Sequence, residues 1–286
     1  MSDIYASITE LDPVVLEQLA NVLELRASDG QQCRMREHYF SLIPFPPKAR
    51  VLEVGCGTGP VARALAAWPG LAEVVGVDPS PALLAKARQL SVEWPQLHFQ
   101  SGEARQLPFE GAHFDVVVFH TTLCHIPEPH RALGEAFRVL KPGGSLAIFD
   151  ANYSETTLAT SSVDPLQVCA QAAVDIIAFD PWLIPRLSKL VLSAGFAPPQ
   201  FQSYVYDGTT PPDYMLTIVD RGADALQKSG RIGGELANSL KVEARRRVQT
   251  GEFFGQITYA SFIARKPLSN EPPVNATRRS SPPPQL

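Results

Sequence analysis

The chain has little cysteine for its length: Cys33, Cys56, Cys124 and Cys169 are the four in 286 residues. None falls in a C-x-x-C pair, so neither a zinc ribbon nor a thioredoxin-type redox motif is indicated. Four cysteines in a chain this long, with no export signal, imply no disulfide framework. The opening stretch, MSDIYASITELDP, has no basic segment followed by an apolar core, so no secretory signal is expected. No apolar run reaches the ~20 residues that a membrane span requires. Histidines never occur in H-E-x-x-H or H-x-H spacing, and no metal is expected. A basic excess is also missing. Lys and Arg number 25 against 29 Asp and Glu, giving a net charge of -4 and a pI of about 5.9. Such a surface offers little to nucleic-acid phosphates. There is no internal repeat. These absences leave a soluble, cytoplasmic protein with no nucleic-acid partner and no membrane span, a monomer or homodimer.

What is present is a substantial core composition, 45% hydrophobic with 19% charged residues. Residues 1–47 read as a helical lead-in, with PVVLEQLANVLEL (13–25) apolar at helical spacing, ended by the prolines of FPPKAR. From Ala49 short apolar runs alternate with amphipathic segments. ARVLEVG, AEVVGVD, LHFQSG, FDVVVFHT and SLAIFDA read as strands; GPVARALAAW, SPALLAKARQL and PHRALGEAFRVL read as helices, the last ended by KPGG. Repeated β-α-β units imply a parallel sheet with right-handed crossovers. Residues 153–181 are a mixed segment of no clear type. A helix over PWLIPRLSKLVLSAGF, a strand FQSYVYDG, a helical stretch 211–250 and a last strand FGQITYASFIARKP follow. The Pro- and Ser-rich segment 267–286 is expected to be a disordered tail. NAT at 275–277 matches a glycosylation acceptor by chance, and the basic run at 243–247 reads as a solvated helix face.

The loop VLEVGCGTGP lies between a strand and a helix. Gly55, Gly57 and Gly59 allow backbone angles closed to other residues and let a ligand approach the main chain. A tight turn with no ligand satisfies the same pattern. The spacing is G-x-G-x-G, and the position three after Gly57 is Pro60, so a dinucleotide fingerprint is not met. Glu53 puts a carboxylate just before the loop. It opposes a pyrophosphate and favours a cation, as the ammonium and sulfonium of S-adenosylmethionine would supply. Asp78 ends the next strand, nineteen residues after Gly59. There an acid grips a ribose diol, or caps the helix beginning near Ser80.

Five stretches then occur in order: VLEVGCGTG, GVDPS, SGEARQLPF, FDVVVFHTTLCHI and RVLKPGGSLAIFD. Together they resemble the successive motifs of the class I S-adenosylmethionine-dependent methyltransferases, on the small-molecule branch of the ubiquinone/menaquinone methyltransferases. The resemblance is strong over residues 49–151 and continues weakly through SAGF to ASFIARKP. It implies a doubly wound, Rossmann-like α/β fold with a seven-stranded, mostly parallel sheet whose last strand is antiparallel. It implies that Glu53, Gly55, Cys56, Gly57 and Gly59 hold the methionine end of S-adenosylmethionine. Asp78, with Pro79 and Ser80 beside it, would bind the ribose. Gly102, Glu103 and Ala104 would flank the adenine; Glu103 departs from the family's usual Asp. His120 would face the methyl-transfer site.

His120 and His125 bracket TTLC after the fourth strand. Either suits a general base for an acceptor hydroxyl, while His125 equally suits ordering the loop above the cofactor. A helical lid is expected from residues 1–40, 153–181 and 211–250, set on a methyltransferase domain of residues 48–266. Tyr5, Tyr39, Phe40, Tyr153, Phe179, Trp182 and Tyr214 would line an acceptor pocket or serve as core. HTTL stands where Asn/Asp-Pro-Pro-Tyr would mark methylation of an amide or base nitrogen. The function that follows is methyl transfer to a small-molecule acceptor at O, C or N. A cofactor-holding module without transfer and a nicotinamide-dependent oxidoreductase are the competing readings.

Overall fold

The computed structural model describes residues 8–208 and 211–268. Tyr5, the 275–277 acceptor and the rest of the 269–286 tail lie outside the described residues. In chain order, α1 (Pro13–Ser28) and α2 (Gly30–Leu42) lead into β1 (Ala49–Val54), α3 (Pro60–Ala66), β2 (Leu71–Asp78), α4 (Pro81–Leu90), β3 (Leu97–Ser101), β4 (Phe114–His120), α5 (Pro129–Val139) and β5 (Leu140–Thr157). Then come α6 (Gln167–Ile177), α7 (Leu183–Ser193), β6 (Gln200–Asp207), α8 (Asp213–Lys228), α9 (Gly234–Thr250) and β7 (Gln256–Arg265).

The sheet order is β3-β2-β1-β4-β5-β7-β6. The first five strands pair in parallel, and β7 runs antiparallel between β5 and β6. This is the expected seven-stranded, mostly parallel architecture. β4 shows why such strands read as unbroken apolar runs. Val116, Val117, Val118 and Phe119 are all fully buried, because helices cover both faces. α5 carries the complementary pattern: Ala132, Leu133, Ala136 and Val139 are buried at helical spacing. The strand order reverses between β1 and β4, so the carboxyl ends of these two strands open a crevice.

Two segments go beyond the sequence reading. The helical lead-in holds two helices. Asp29 interrupts it in an extended conformation and accepts hydrogen bonds from the Gln31 and Gln32 amides at 2.8 and 3.0 Å, which starts α2. The stretch of no clear type at 153–181 begins as strand. β5 continues to Thr157 because β7 pairs with it past the point where β4 stops, with Asn152 opposite Thr258 and Thr157 opposite Gln256. Tyr153 therefore belongs to the sheet, and only α6 of that stretch is helical. No helix among the described residues is long and apolar enough to cross a membrane.

Candidate active site

A cavity of about 400 Å³ opens where the strand order reverses. Its floor is the carboxyl ends of β1 to β4. Glu53, Gly55, Cys56 and Gly57 come from β1 and its loop, Asp78 and Pro79 from β2, Gly102, Glu103 and Ala104 from β3, and His120 from β4. His125 joins them from the turn after β4. Eleven of the thirteen residues singled out in the sequence thus line one cavity. Gly59 and Ser80 do not.

Those two have local roles. Gly59 caps α3 in a left-handed conformation, and a Cβ there would stand 2.8 Å from the Phe99 ring. Ser80 caps α4, its hydroxyl accepting from the Leu83 amide at 3.4 Å. The cap reading of Asp78 therefore passes to Ser80. Asp78 Oδ1 accepts from the Ser80 amide and Oδ2 from the Gly57 amide, both at 2.9 Å, so its carboxyl ties the glycine loop to β2. Gly55 is the tightest point of that loop. Its φ is 75°, and a Cβ would stand 2.2 Å from Thr122 Cγ2, so no side chain fits there.

The two acids are buried together. Glu53 is 2% and Asp78 6% exposed. Burial, then the neighbouring Asp78, pushes the Glu53 carboxyl up to about 8. Burial pushes Asp78 up to about 6 against the pull of its two amide donors. Glu53 Oε2 has no hydrogen-bond partner. A value of about 8 favours the neutral form of Glu53 at pH 7, which qualifies the sequence argument that this position holds a carboxylate. Cys56 is buried beside them, and burial followed by Asp78 raises its thiol well above the ordinary range. Glu103 is the exposed member, its carboxylate held by Arg105.

His120 ends β4 with its ring stacked on Phe149, centroids 4.8 Å apart, and its Nδ1 3.0 Å from the Tyr39 hydroxyl. Burial, then Arg26, holds its pKa well below the usual imidazole range, so the ring is neutral. Thr121, next in the chain, has φ 49°, strained for a β-branched residue. Its amide donates to Phe149 O at 2.6 Å, and its hydroxyl accepts from Arg26 Nη2 at 2.6 Å. His125 is half-buried and lines the cavity. Burial raises the pKa of Asp150, and the neighbouring His125 opposes that rise.

The upper wall comes from elements that carry no motif. Val22, Leu23 and Arg26 on α1, Ile177 on α6, and Tyr214 and Arg221 on α8 all line the cavity. Tyr153 and Tyr214 are the two expected lid aromatics that do so. Tyr39 and Phe40 are core, while Phe179 and Trp182 are exposed and line no part of it. Sequence reasoning missed Arg26, Thr121 and Arg221. A signal existed only for Arg221, which lies seven residues after Tyr214 and so on the same helical face.

A methyltransferase domain model matches residues 52–148, the strands and loops that build the cavity floor. The chain is 30% identical over 198 residues to the 2-phytyl-1,4-naphtoquinone methyltransferase of Thermosynechococcus vestitus, covering 68% of this chain and 81% of that one. The chain belongs to the S-adenosylmethionine-dependent methyltransferases. Among solved structures, a Bacillus halodurans methyltransferase superposes with a TM-score of 0.59 at 22% identity, covering 81% of this chain and 98% of that one. The [4+2]-cyclase SpnF gives 0.58 at 20%, covering 94% and 98%. Both likenesses concern the fold. Against other curated relatives this methyltransferase spans between 27% and 60% of their length. The family assignment sets aside the oxidoreductase reading, in line with Pro60 standing where the dinucleotide motif needs a small residue.

The residues fit the family's cofactor, S-adenosylmethionine. A buried carboxyl oxygen without a partner, a second buried carboxyl on the neighbouring strand and a loop with no room for a Cβ are what a cationic nucleoside pressed against main chain requires.

Proposed function

We propose that this methyltransferase transfers the methyl group of S-adenosylmethionine to a small-molecule acceptor bound under α1, α6 and α8. The observation that carries the reading is the pair of buried carboxyls, Glu53 and Asp78, in a cavity shared with two histidines and two tyrosines. When bound, the cofactor supplies an electrophilic methyl on a sulfonium and leaves as the neutral thioether.

The chain's own residues divide the remaining tasks. Glu53 loses its proton and answers the cofactor's ammonium. Asp78, already fixed by two amides, accepts from the ribose hydroxyls. Gly55 and Gly57 let the main chain approach the methionine end, and Gly102 and Ala104 flank the adenine. Glu103 takes part at the rim after loosening its pair with Arg105. Arg26, held to the Thr121 hydroxyl at 2.6 Å, adds positive charge to the cavity wall. Positioning of two reactants accounts for much of such a rate, up to ~7–11 kcal/mol where alignment is good. A proton leaving an acceptor hydroxyl passes to His125, with Asp150 behind it, or to His120, with Tyr39 behind it. The aromatic wall of Tyr153 and Tyr214 and the quinone-acting relative both favour a flat, mostly apolar acceptor. The helices of residues 8–47, 153–181 and 211–250 act as the lid of a cytoplasmic enzyme, monomeric or dimeric.

Calorimetry with S-adenosylmethionine, S-adenosylhomocysteine and NAD tests the cofactor half. Micromolar binding of both adenosyl compounds and none of NAD is expected; NAD binding alone would overturn the reading. Transfer of a labelled methyl to a metabolite extract tests the catalytic half, and cofactor binding without any transfer would leave only a cofactor-holding protein.

A further inference from the structure

We propose that the acceptor is a carboxylate on a flat apolar body, anchored by Arg221. The proposal rests on the methyl-transfer reading and names the acceptor class for the same cavity. Arg221 and Tyr214 both line the cavity, seven residues apart on α8. Seven residues are close to two helical turns, so the two side chains share a face and stand ~10 Å apart along the axis. Tyr153 from β5 and Ile177 from α6 complete an aromatic and aliphatic wall. None of these four belongs to the glycine loop or to the strand-end acids.

Charge around Arg221 is unbalanced. Its own helix carries Asp220 and Asp224, yet α9 takes both. Asp220 accepts two hydrogen bonds from Arg245, each 2.8 Å, and Asp224 pairs with Lys241. On α1, which also packs against α8, Glu17 pairs with Lys86 and Glu24 with Arg63. Among the described residues Arg221 has no hydrogen bond and no ion pair. Of the other cavity arginines, Arg105 pairs with Glu103 and Arg26 hydrogen-bonds the Thr121 hydroxyl. A half-buried guanidinium has given up part of its hydration, and without a counter-ion nothing offsets that loss. A ligand carboxylate offsets it with two parallel hydrogen bonds in the fork geometry that arginine presents. The cofactor also has a carboxylate, but it shares a carbon with the ammonium that Glu53 answers and so stays at the glycine loop. Arg221 is left for the acceptor.

The test is a titration with matched probes. The protein saturated with S-adenosylhomocysteine is titrated with 1-hydroxy-2-naphthoate and with the uncharged 1-hydroxy-2-naphthamide, followed by calorimetry. We expect the acid to bind at least roughly tenfold more tightly than the amide. Arg221→Gln should erase that preference, Arg221→Lys should keep part of it, and both should hold S-adenosylhomocysteine as the parent does. Equal binding of acid and amide overturns the proposal, as does unchanged affinity of the acid for Arg221→Gln or no saturation by the acid in the low millimolar range. A loss of S-adenosylhomocysteine affinity in Arg221→Gln also overturns it, because Arg221 would then hold the cofactor. S-adenosylhomocysteine titrated alone into the parent protein tests the underlying reading separately. If it fails to bind, that reading falls, while the two probes titrated into the free protein still report on Arg221. Circular dichroism of both variants identifies any failure to fold, and Arg221→Lys then carries the test.

Discussion

On one side of the cavity the wall is main chain: the ends of β1 and β2, a loop with no room for a side chain at Gly55, and two buried carboxyls, one of them locked against backbone amides. On the other side the wall is side chains, tyrosines and arginines reaching in from α1, β5 and α8. The first side belongs to the sheet, whose register fixes every position; Glu53 pairs with Gly76 on one strand and Val118 on the other. The second side belongs mostly to helices whose placement depends on how they pack. α6 and α8 meet so closely that a Cβ on Gly222 would stand 1.9 Å from the Cys169 carbonyl oxygen. A cofactor common to a family suits the rigid side. An acceptor that differs between members suits the side whose residues are free to change.

The strongest way to break this contrast is at Gly55. Gly55→Ala combines a left-handed backbone angle with the 2.2 Å approach to Thr122. The expected cost is ~2–4 kcal/mol of stability from strain and overpacking, with S-adenosylhomocysteine binding lost altogether. Denaturant titration and calorimetry measure both. A variant that binds normally would mean the loop yields, and that the rigid side is not rigid.

Glu53→Gln separates binding from stability. In the free protein the carboxyl's value of about 8 stands above its ordinary 4.5. The folded state therefore favours the protonated form. The stability this gives is fully present below about pH 4.5 and is lost as pH rises through about 8. The glutamine amide mimics the protonated acid, so the variant should gain Tm relative to the parent at pH 8.5 and match it at pH 5. A bound cation reverses the preference and expels the proton. S-adenosylmethionine affinity of the parent should therefore rise between pH 6 and 8, by at most about tenfold per unit for one proton. The variant should bind ~1.5–3 kcal/mol more weakly with a flatter profile. Affinity independent of pH in the parent would sink the ionisation argument.

Legibility in the sequence follows the same division. The strands that carry the rigid side are short apolar runs closed by glycines and acids, and that pattern, together with the family resemblance it carries, was enough to find eleven residues of one cavity. The helical side has no such pattern. Tyr153 sits in a strand because β7 pairs beyond the reach of β4, a contact between positions far apart in the chain. Thr121 takes a positive φ because Phe149 and Arg26 hold it there, and no local preference of threonine announces that. Phe179 and Trp182 are as aromatic as Tyr153 and Tyr214, yet they face solvent. Strand pairing places Tyr153 and helix packing places Tyr214, and neither is local to the aromatic residue.

Gly222→Ala probes that packing directly. The new methyl group meets backbone rather than a movable side chain, so α6 and α8 must separate, at ~1–3 kcal/mol. S-adenosylhomocysteine affinity should stay near that of the parent, while acceptor binding weakens. Equal loss of both ligands would show that the two sides are coupled, and that the contrast drawn above is too sharp.

The smallest expected effect falls at the seam between the two sides, where His120 meets Tyr39. The phenol stays neutral, since burial raises its pKa well above 10. If the imidazole donates from Nδ1 to the phenol oxygen, Nε2 is left to accept a proton from the acceptor. If the phenol donates to Nδ1, Nε2 carries the hydrogen and cannot act as base. Tyr39→Phe removes the partner and leaves the tautomer unset. Where His120 is the base, kcat should fall roughly tenfold, about 1.4 kcal/mol, with cofactor affinity unchanged. Where His125 and Asp150 take the proton, Tyr39→Phe should leave kcat within about twofold and His125→Gln should lower it instead. The pair of variants, compared across pH at saturating cofactor, assigns the base to the sheet end or to the turn above it.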